Sequence, residues 1–216
     1  MNNIKQIIDT LKRLYPEPRC MLSFSKPHEL LIAARLSAQC TDKRVNMTTP
    51  ELFARFPTVE SFANADLSEI KRIIKPCGLF NTKAESIKSM CEKLCEVHEG
   101  NIPDELDTLL ELPGVGRKTA NLVLGELYGK PAIVADTHVI RLSNRLGLVD
   151  VGKDAFKVEM ALRELIPPDE SLSFCHRLVL HGRAKCKAHN PSCRDCELNS
   201  YCEYPETDSK ESSSLT

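Results

Sequence analysis

Leu112-Pro113-Gly114-Val115-Gly116-Arg117-Lys118-Thr119-Ala120-Asn121 sets two glycines in a short turn. It opens straight into an apolar-periodic helical pattern, with a lysine in the first turn that follows. Gly114 and Gly116 carry no Cβ, so they let the backbone take positive φ and lie close to a ligand. The first amides of a helix lack internal partners, and the helix dipole adds partial positive charge there. Such a turn suits a phosphate. Lys118 would then stand beside a bound sugar-phosphate as a potential nucleophile. An ordinary helix–turn–helix connection with an exposed lysine accounts for the same stretch, and this motif alone does not choose between the two. It is not a mononucleotide P-loop, which needs a longer spacer and a Gly-Lys-Ser/Thr ending. Nor is it a Rossmann fingerprint, because a helical pattern precedes it.

A second set of chemical residues lies near the C-terminus. Of ten cysteines, Cys186, Cys193, Cys196 and Cys202 fall within 17 residues as C-x6-C-x2-C-x5-C. The chain is far larger than disulfide-dense minidomains, and Met1-Asn2-Asn3-Ile4-Lys5 runs into a helical pattern with no targeting peptide expected. Metal ligation is therefore the reading, and the spacing leaves tetrahedral zinc and an iron–sulfur cluster both open. Cys20, Cys40, Cys77, Cys91, Cys95 and Cys175 are expected to be small buried hydrophobes. Between Cys175 and Arg194 stand Arg177, Arg183, Lys185, Lys187 and Arg194 without an acid, whereas acids dominate after Arg194. That asymmetry reads as a phosphate-contacting surface, or as a solvated helix face.

Asp136 ends the apolar run Ile133-Val134-Ala135 and precedes a helical pattern, which makes it an N-cap candidate. It follows Lys118 by 18 residues, one helix and a short return, so the carboxylate could lie beside the amine.

These groups must be carried by helices. The 216 residues are 42% hydrophobic, enough for one large core or two small ones, and no apolar run has membrane-spanning length. A net charge of −1 carries no global nucleic-acid signal. Pro27 opens an apolar stretch at Leu30, Leu31, Ala34 and Leu36. Asp66-x-x-Glu69 and Thr82-x-x-Glu85 have capping-box spacing, and each precedes a helical apolar stripe. Gly78, Gly100, Gly129, Gly147 and Pro167-Pro168 mark stops. No segment shows strand alternation between hairpin turns. The expected fold is all-α, with about ten helices.

LPGVGRKTAN, VADTHVIR and the four-cysteine pattern, together with Leu36–Asp42 (LSAQCTD) and Gly78–Ala84 (GLFNTKA), resemble the iron–sulfur helix–hairpin–helix DNA glycosylases, in particular the bacterial endonuclease III family. The resemblance covers roughly residues 20–204, and the motifs occur in the right order. Cys40 stands where the family usually has an alanine. The resemblance implies a helical barrel domain at 20–130, holding the helix–hairpin–helix at 105–128. It implies an iron–sulfur helical domain from 1–19 and 131–204, facing the first across a DNA groove, and a polar flexible tail at 205–216. It implies that Lys118 is a Schiff-base nucleophile, Asp136 a catalytic aspartate, and the four clustered cysteines the ligands of a 4Fe–4S cluster. Gln39 and Leu79 correspond to residues that fill the gap left by a flipped nucleotide. Gly114, Val115, Gly116 and Arg117 correspond to the hairpin's DNA contact, and His138 lies near the pocket. The expected partner is double-stranded DNA with a damaged base or abasic site. No membrane is expected, and the protein is expected to be a monomer in the bacterial cytoplasm.

The chemistry follows. A base inside a duplex cannot be reached, so it must be extruded at a few kcal/mol of lost stacking. Attack by lysine on the sugar's anomeric carbon needs a neutral amine, which a helix N-terminus and desolvation favour and a nearby carboxylate opposes. Asp136 is therefore expected to stabilise positive charge on the sugar or to take up the amine proton. A lysine at 118, and a chain that ends soon after the cysteines, separate this sequence from the adenine-specific relatives and favour oxidised pyrimidines. The competing class is a non-catalytic DNA-binding module with a zinc-stapled loop.

Overall fold

The structure, a computed structural model, describes residues 3–204; the expected tail at 205–216 lies outside the described residues. Eleven α-helices and three 3₁₀ turns are found among the described residues, and no strand. The helices are α1 (Ile4–Leu14), α2 (Pro27–Leu36), α3 (Asp42–Arg55), α4 (Val59–Ala63), α5 (Leu67–Ile74), α6 (Phe80–His98), α7 (Leu106–Leu110), α8 (Arg117–Tyr128), α9 (Thr137–Arg145), α10 (Ala155–Leu165) and α11 (Ser171–Ala184). The chain divides into two compact units, Cys20–Ala132 and a second in which the segment ending at Arg19 joins the segment beginning at Ile133.

In the 20–132 unit, α2 is buried around almost its whole circumference, from His28 to Leu36 with Arg35 the exception. A helix apolar on every side belongs at the centre of a core. Phe62 is fully buried against Phe56, Phe53 and His28, with ring centroids 5.1, 6.5 and 6.4 Å away. Each such side chain contributes about 1.5–3 kcal/mol by leaving water. α2 and α7 both pack on α8, so the helix that carries Lys118 rests on the core.

In the other unit, α1 buries Ile7, Ile8 and Leu11 and packs on α11, which buries Phe174 and Leu178. α9 also lies on α11. Arg177, expected on a basic surface, is 7% exposed and acts as an internal strut. Its guanidinium donates to Glu170 at 3.2 Å and to the Tyr15 carbonyl at 3.2 Å.

The helix starts differ from expectation in two places. Asp66 caps α5 by accepting from the Ser68 amide at 2.9 Å, but Glu69 does not close the box, because its carboxylate pairs with Arg55 at 2.6 Å. Thr82 is no cap at all. α6 has already begun, with Leu79 as its N-cap and the Lys83 amide donating to the Leu79 carbonyl at 3.0 Å.

Candidate active site and cysteine loop

α7, a tight turn and α8 form a helix–hairpin–helix. Gly114 sits at φ +78°, and a Cβ there would meet Arg35 Nε at 2.7 Å and Ser86 Cβ at 2.8 Å. Conformation and space both demand glycine. Gly116 differs from Gly114: its φ is −102°, it is the N-cap of α8, and a Cβ would meet nothing within 4 Å. Only close approach by something outside the chain could require glycine there. The Val115 side chain is buried, and its amide donates to the Leu112 carbonyl at 3.1 Å, which closes the turn. Arg117 is half-buried at the first position of α8.

Lys118 is exposed in the first turn of α8. It lines a small cleft with Ala34, Ser37, Ala38, Thr119 and Leu122. That cleft reaches the turn after α2, whose tip is Gln39. Gln39 is exposed at φ 53°, and Leu79 is 57% exposed at φ 47°. A left-handed conformation costs a branched residue about 1–2 kcal/mol, and exposing a leucine forgoes burial as well. Neither residue is a core side chain.

In the second unit, Asp136 caps α9: its Oδ1 accepts from the His138 and Val139 amides, both at 2.8 Å. Its other oxygen takes part in neither bond. His138 is half-buried; its Nδ1 lies 3.1 Å from Arg141, and the pair packs so tightly on Gly182 that a Cβ there would lie 2.5 Å from the ring.

Cys186, Cys193, Cys196 and Cys202 line one cavity, with His181 and Arg145 beside them. Their loop has almost no regular structure and is held by arginines from α9. Arg141 donates to the Cys186 carbonyl at 2.9 Å. Arg145 donates to Cys186 Sγ at 3.2 Å and to the carbonyls of Lys187 and Ala188 at 2.7 and 3.1 Å, and it stacks on Tyr204 at 4.2 Å. The Cys202 thiol donates to the Arg145 carbonyl at 3.1 Å. His181 is fully buried, with one ring nitrogen 3.2 Å from Tyr15 Oη and the other 3.4 Å from Cys196 Sγ. Burial, then the crowding of neighbouring thiols, pushes Cys196 and Cys202 above the ordinary thiol range. A bound cation reverses that preference by stabilising thiolates. Among the described residues no three His, Cys, Asp or Glu side chains converge as for a single ion.

Sequence reasoning missed Arg141 and Arg145. Their one-turn spacing on α9 was the available signal, but only folding shows that they reach the loop. The expectation for the other six cysteines holds for Cys77, Cys91 and Cys175, which are buried. Burial lifts the Cys91 and Cys175 thiols to about 12. Cys20, Cys40 and Cys95 are only half-buried. The basic surface is also smaller than expected, since Arg177 and His181 are interior while Arg183, Lys187 and Arg194 are exposed.

An all-α chain with a helix–hairpin–helix, a lysine at its second helix's start and a four-thiol loop falls in one structural class. The family model for HhH-GPD superfamily base excision DNA repair proteins matches residues 32–168. The chain is 44% identical to endonuclease III of Synechocystis sp. over 91% of its own length and 90% of that protein. It is 43% identical to endonuclease III of Haemophilus influenzae over 95% and 98%, and 41% identical to that of Escherichia coli K12 over the same shares. A solved non-covalent endonuclease III–DNA complex superposes with a TM-score of 0.89 at 40% identity, covering 94% of this chain and 96% of that one. A trapped endonuclease III–DNA covalent intermediate matches with a TM-score of 0.89 at 40% identity, over 94% and 97%. The chain belongs to the endonuclease III family of the HhH-GPD superfamily and is a base excision repair DNA glycosylase and abasic-site lyase. No helix among the described residues is long and apolar enough to cross a membrane.

Proposed function

We propose that the chain excises oxidised pyrimidines from duplex DNA through Lys118 and then cleaves on the 3′ side of the abasic site. The hairpin at Gly114–Gly116 holds the backbone phosphate, with α8's first amides and Arg117 as donors. Gln39 and Leu79 enter the duplex where the target nucleotide leaves it. Their exposed, left-handed tips support this, because strain at an exposed position is kept where a side chain must project. Neutral Lys118 attacks the anomeric carbon, and the base departs with the glycosidic electron pair and takes up a proton. The C1′–O4′ bond then opens, with O4′ taking up a proton, and the resulting iminium acidifies the neighbouring sugar proton, whose loss expels the 3′-phosphate. Asp136 stabilises charge on the sugar through the oxygen that the helix cap leaves over, and His138 contacts the DNA.

Cys186, Cys193, Cys196 and Cys202 would hold a 4Fe–4S cluster. Four thiols lining one cavity can hold such a cluster, and kinship with the endonuclease III family favours iron over zinc. Its contribution here is to shape the loop that carries Lys187 and Arg194 toward DNA. The protein works as a monomer at the nucleoid of a bacterial cytoplasm.

The observation that carries this reading is the exposed Lys118 amine at the mouth of a cleft that runs to the Gln39 turn. The test is borohydride trapping on duplex DNA with one oxidised pyrimidine. A covalent adduct is expected with the wild type and none with Lys118→Ala. An adduct that survives in Lys118→Ala would move the nucleophile elsewhere, and no adduct in either protein would leave a glycosylase without lyase activity.

A further inference from the structure

Lys83 is a buried cation that neither the hairpin chemistry nor the cysteine loop uses. It is 0% exposed, and its Nζ donates to the Leu36 carbonyl at 2.7 Å and to the Cys77 carbonyl at 2.9 Å. Those are the last carbonyls of α2 and of the 3₁₀ turn Lys75–Cys77. Carbonyls at such ends have no partner within their element and carry partial negative charge, so a cation is favoured there. The chain beyond each one runs directly to an exposed left-handed tip: Ser37-Ala38-Gln39 after Leu36, and Gly78-Leu79 after Cys77. One ammonium thus ties together the roots of both tips.

The lysine is bound to this region from its backbone as well. Its amide opens α6 on the Leu79 carbonyl at 3.0 Å. Its carbonyl accepts from Ser86 Oγ at 3.0 Å, and that hydroxyl accepts from Arg35 Nε at 2.7 Å. Arg35 and Ser86 are the two side chains against which Gly114 is packed. A single turn of α6 therefore connects the Gln39 tip, the Leu79 tip and the hairpin turn. Burial disfavours the charged ammonium, and the Cys40 and Cys77 thiols beside it act in the opposite sense. An apolar side chain of similar length would fill the same space but leave both carbonyls without this donor.

We propose that Lys83 is a positioning residue for base extrusion, which fixes the separation and aim of the Gln39 and Leu79 tips. This rests on the reading of those two residues as duplex-filling side chains. A lysine in this role matters when a base must be displaced from a duplex and is dispensable when none must be. Intact duplex DNA and a single strand that already carries an abasic site differ in that requirement.

The test compares wild type, Leu79→Ala, Lys83→Met and Lys83→Gln in two assays. One is single-turnover base release from a duplex containing thymine glycol; the other is borohydride trapping on a single-stranded oligonucleotide with a preformed abasic site. Lys83→Met is expected to slow the duplex reaction about tenfold to a hundredfold, the scale of a small misplacement. Single-strand trapping is expected to stay within about twofold, because extrusion is not part of it. Lys83→Gln, which keeps a shorter donor, is expected to fall between. Amide exchange is expected to quicken in Lys83→Met at residues 37–40 and 78–79. Equal losses on both substrates, an unchanged duplex rate, or failure of both Lys83 variants to fold would overturn the proposal in favour of a purely structural lysine. If Leu79→Ala is slow on duplex while Lys83→Met is not, the positioning role alone fails. If Leu79→Ala also behaves as wild type, the reading of the two tips fails with it.

Discussion

The hairpin of α7 and α8 and the cysteine loop after α11 both carry exposed cations, yet they are built from different materials. The hairpin is made of helix ends seated on a core: Leu109, Leu112, Val115 and Ala120 are buried around the turn, and α2 backs it. Its shape needs nothing from outside the chain. Between Lys185 and Tyr204 only Leu198 is buried, and the one regular element is the 3₁₀ turn Asn199–Tyr201. That loop is held by Arg141, Arg145 and four thiols in place of a core. A segment with so little apolar surface to bury is one that the proposed cluster would supply with folding free energy.

The largest expected effect comes from removing that group. Oxidative or chelating loss of the proposed cluster, or Cys196→Ser, is expected to open residues 185–204 to proteolysis and leave the helical content of the 20–132 unit intact. Limited digestion read by mass spectrometry checks it; first cleavage within the hairpin would reverse the contrast. Next comes Gly114→Ala, expected to cost about 1–3 kcal/mol for its left-handed conformation and the contacts with Arg35 and Ser86. Gly116→Ser is expected to be near neutral in urea unfolding, since serine is a good N-cap, but to weaken DNA binding if the phosphate approaches there. Equal destabilisation by the two would break the distinction drawn between them.

In the second unit, Asp136→Ala is expected to cost about 1 kcal/mol through the lost cap, and Asp136→Asn almost nothing. Base release is nevertheless expected to fall in Asp136→Asn more than DNA affinity does; matching losses in both would sink the catalytic assignment. The smallest effect concerns His28. Burial holds its imidazole below the ordinary 6.5. The stability contributed by its neutral form is therefore complete above that value and is lost as pH falls through the lower, folded-state pKa. Thermal unfolding of wild type and His28→Gln is expected to diverge below pH 6.5 by under about 1 kcal/mol.

Local chemistry was legible wherever one segment decided the outcome. Asp136 as a cap, Pro27 at a helix start and Gly114 at positive φ in its turn all depend on neighbours in sequence, and they stand as read. Positions whose role depends on a distant partner were misread or missed. Thr82 has cap spacing but lies inside a helix that the Gly78–Leu79 turn starts earlier. Arg177 looked like a surface cation because its partners, Glu170 and the Tyr15 carbonyl, come from seven residues away and from another end of the chain. Arg141 and Arg145 are likewise ordinary helix residues until the loop they hold is folded back on them.

By itself the sequence determined the helical class, the family, and which residue types were available for chemistry, because periodicity, caps and motif spacing act over a few residues. Only the tertiary structure decided which backbone groups those side chains meet. It bent Gln39 and Leu79 into exposed left-handed tips, placed Gly114 against Arg35 and Ser86, and buried Lys83 on two carbonyls 47 and 6 residues away. Burial and hydrogen-bond partnership are properties of the packed chain, and a lone lysine in a sequence carries no mark of the carbonyls it will find.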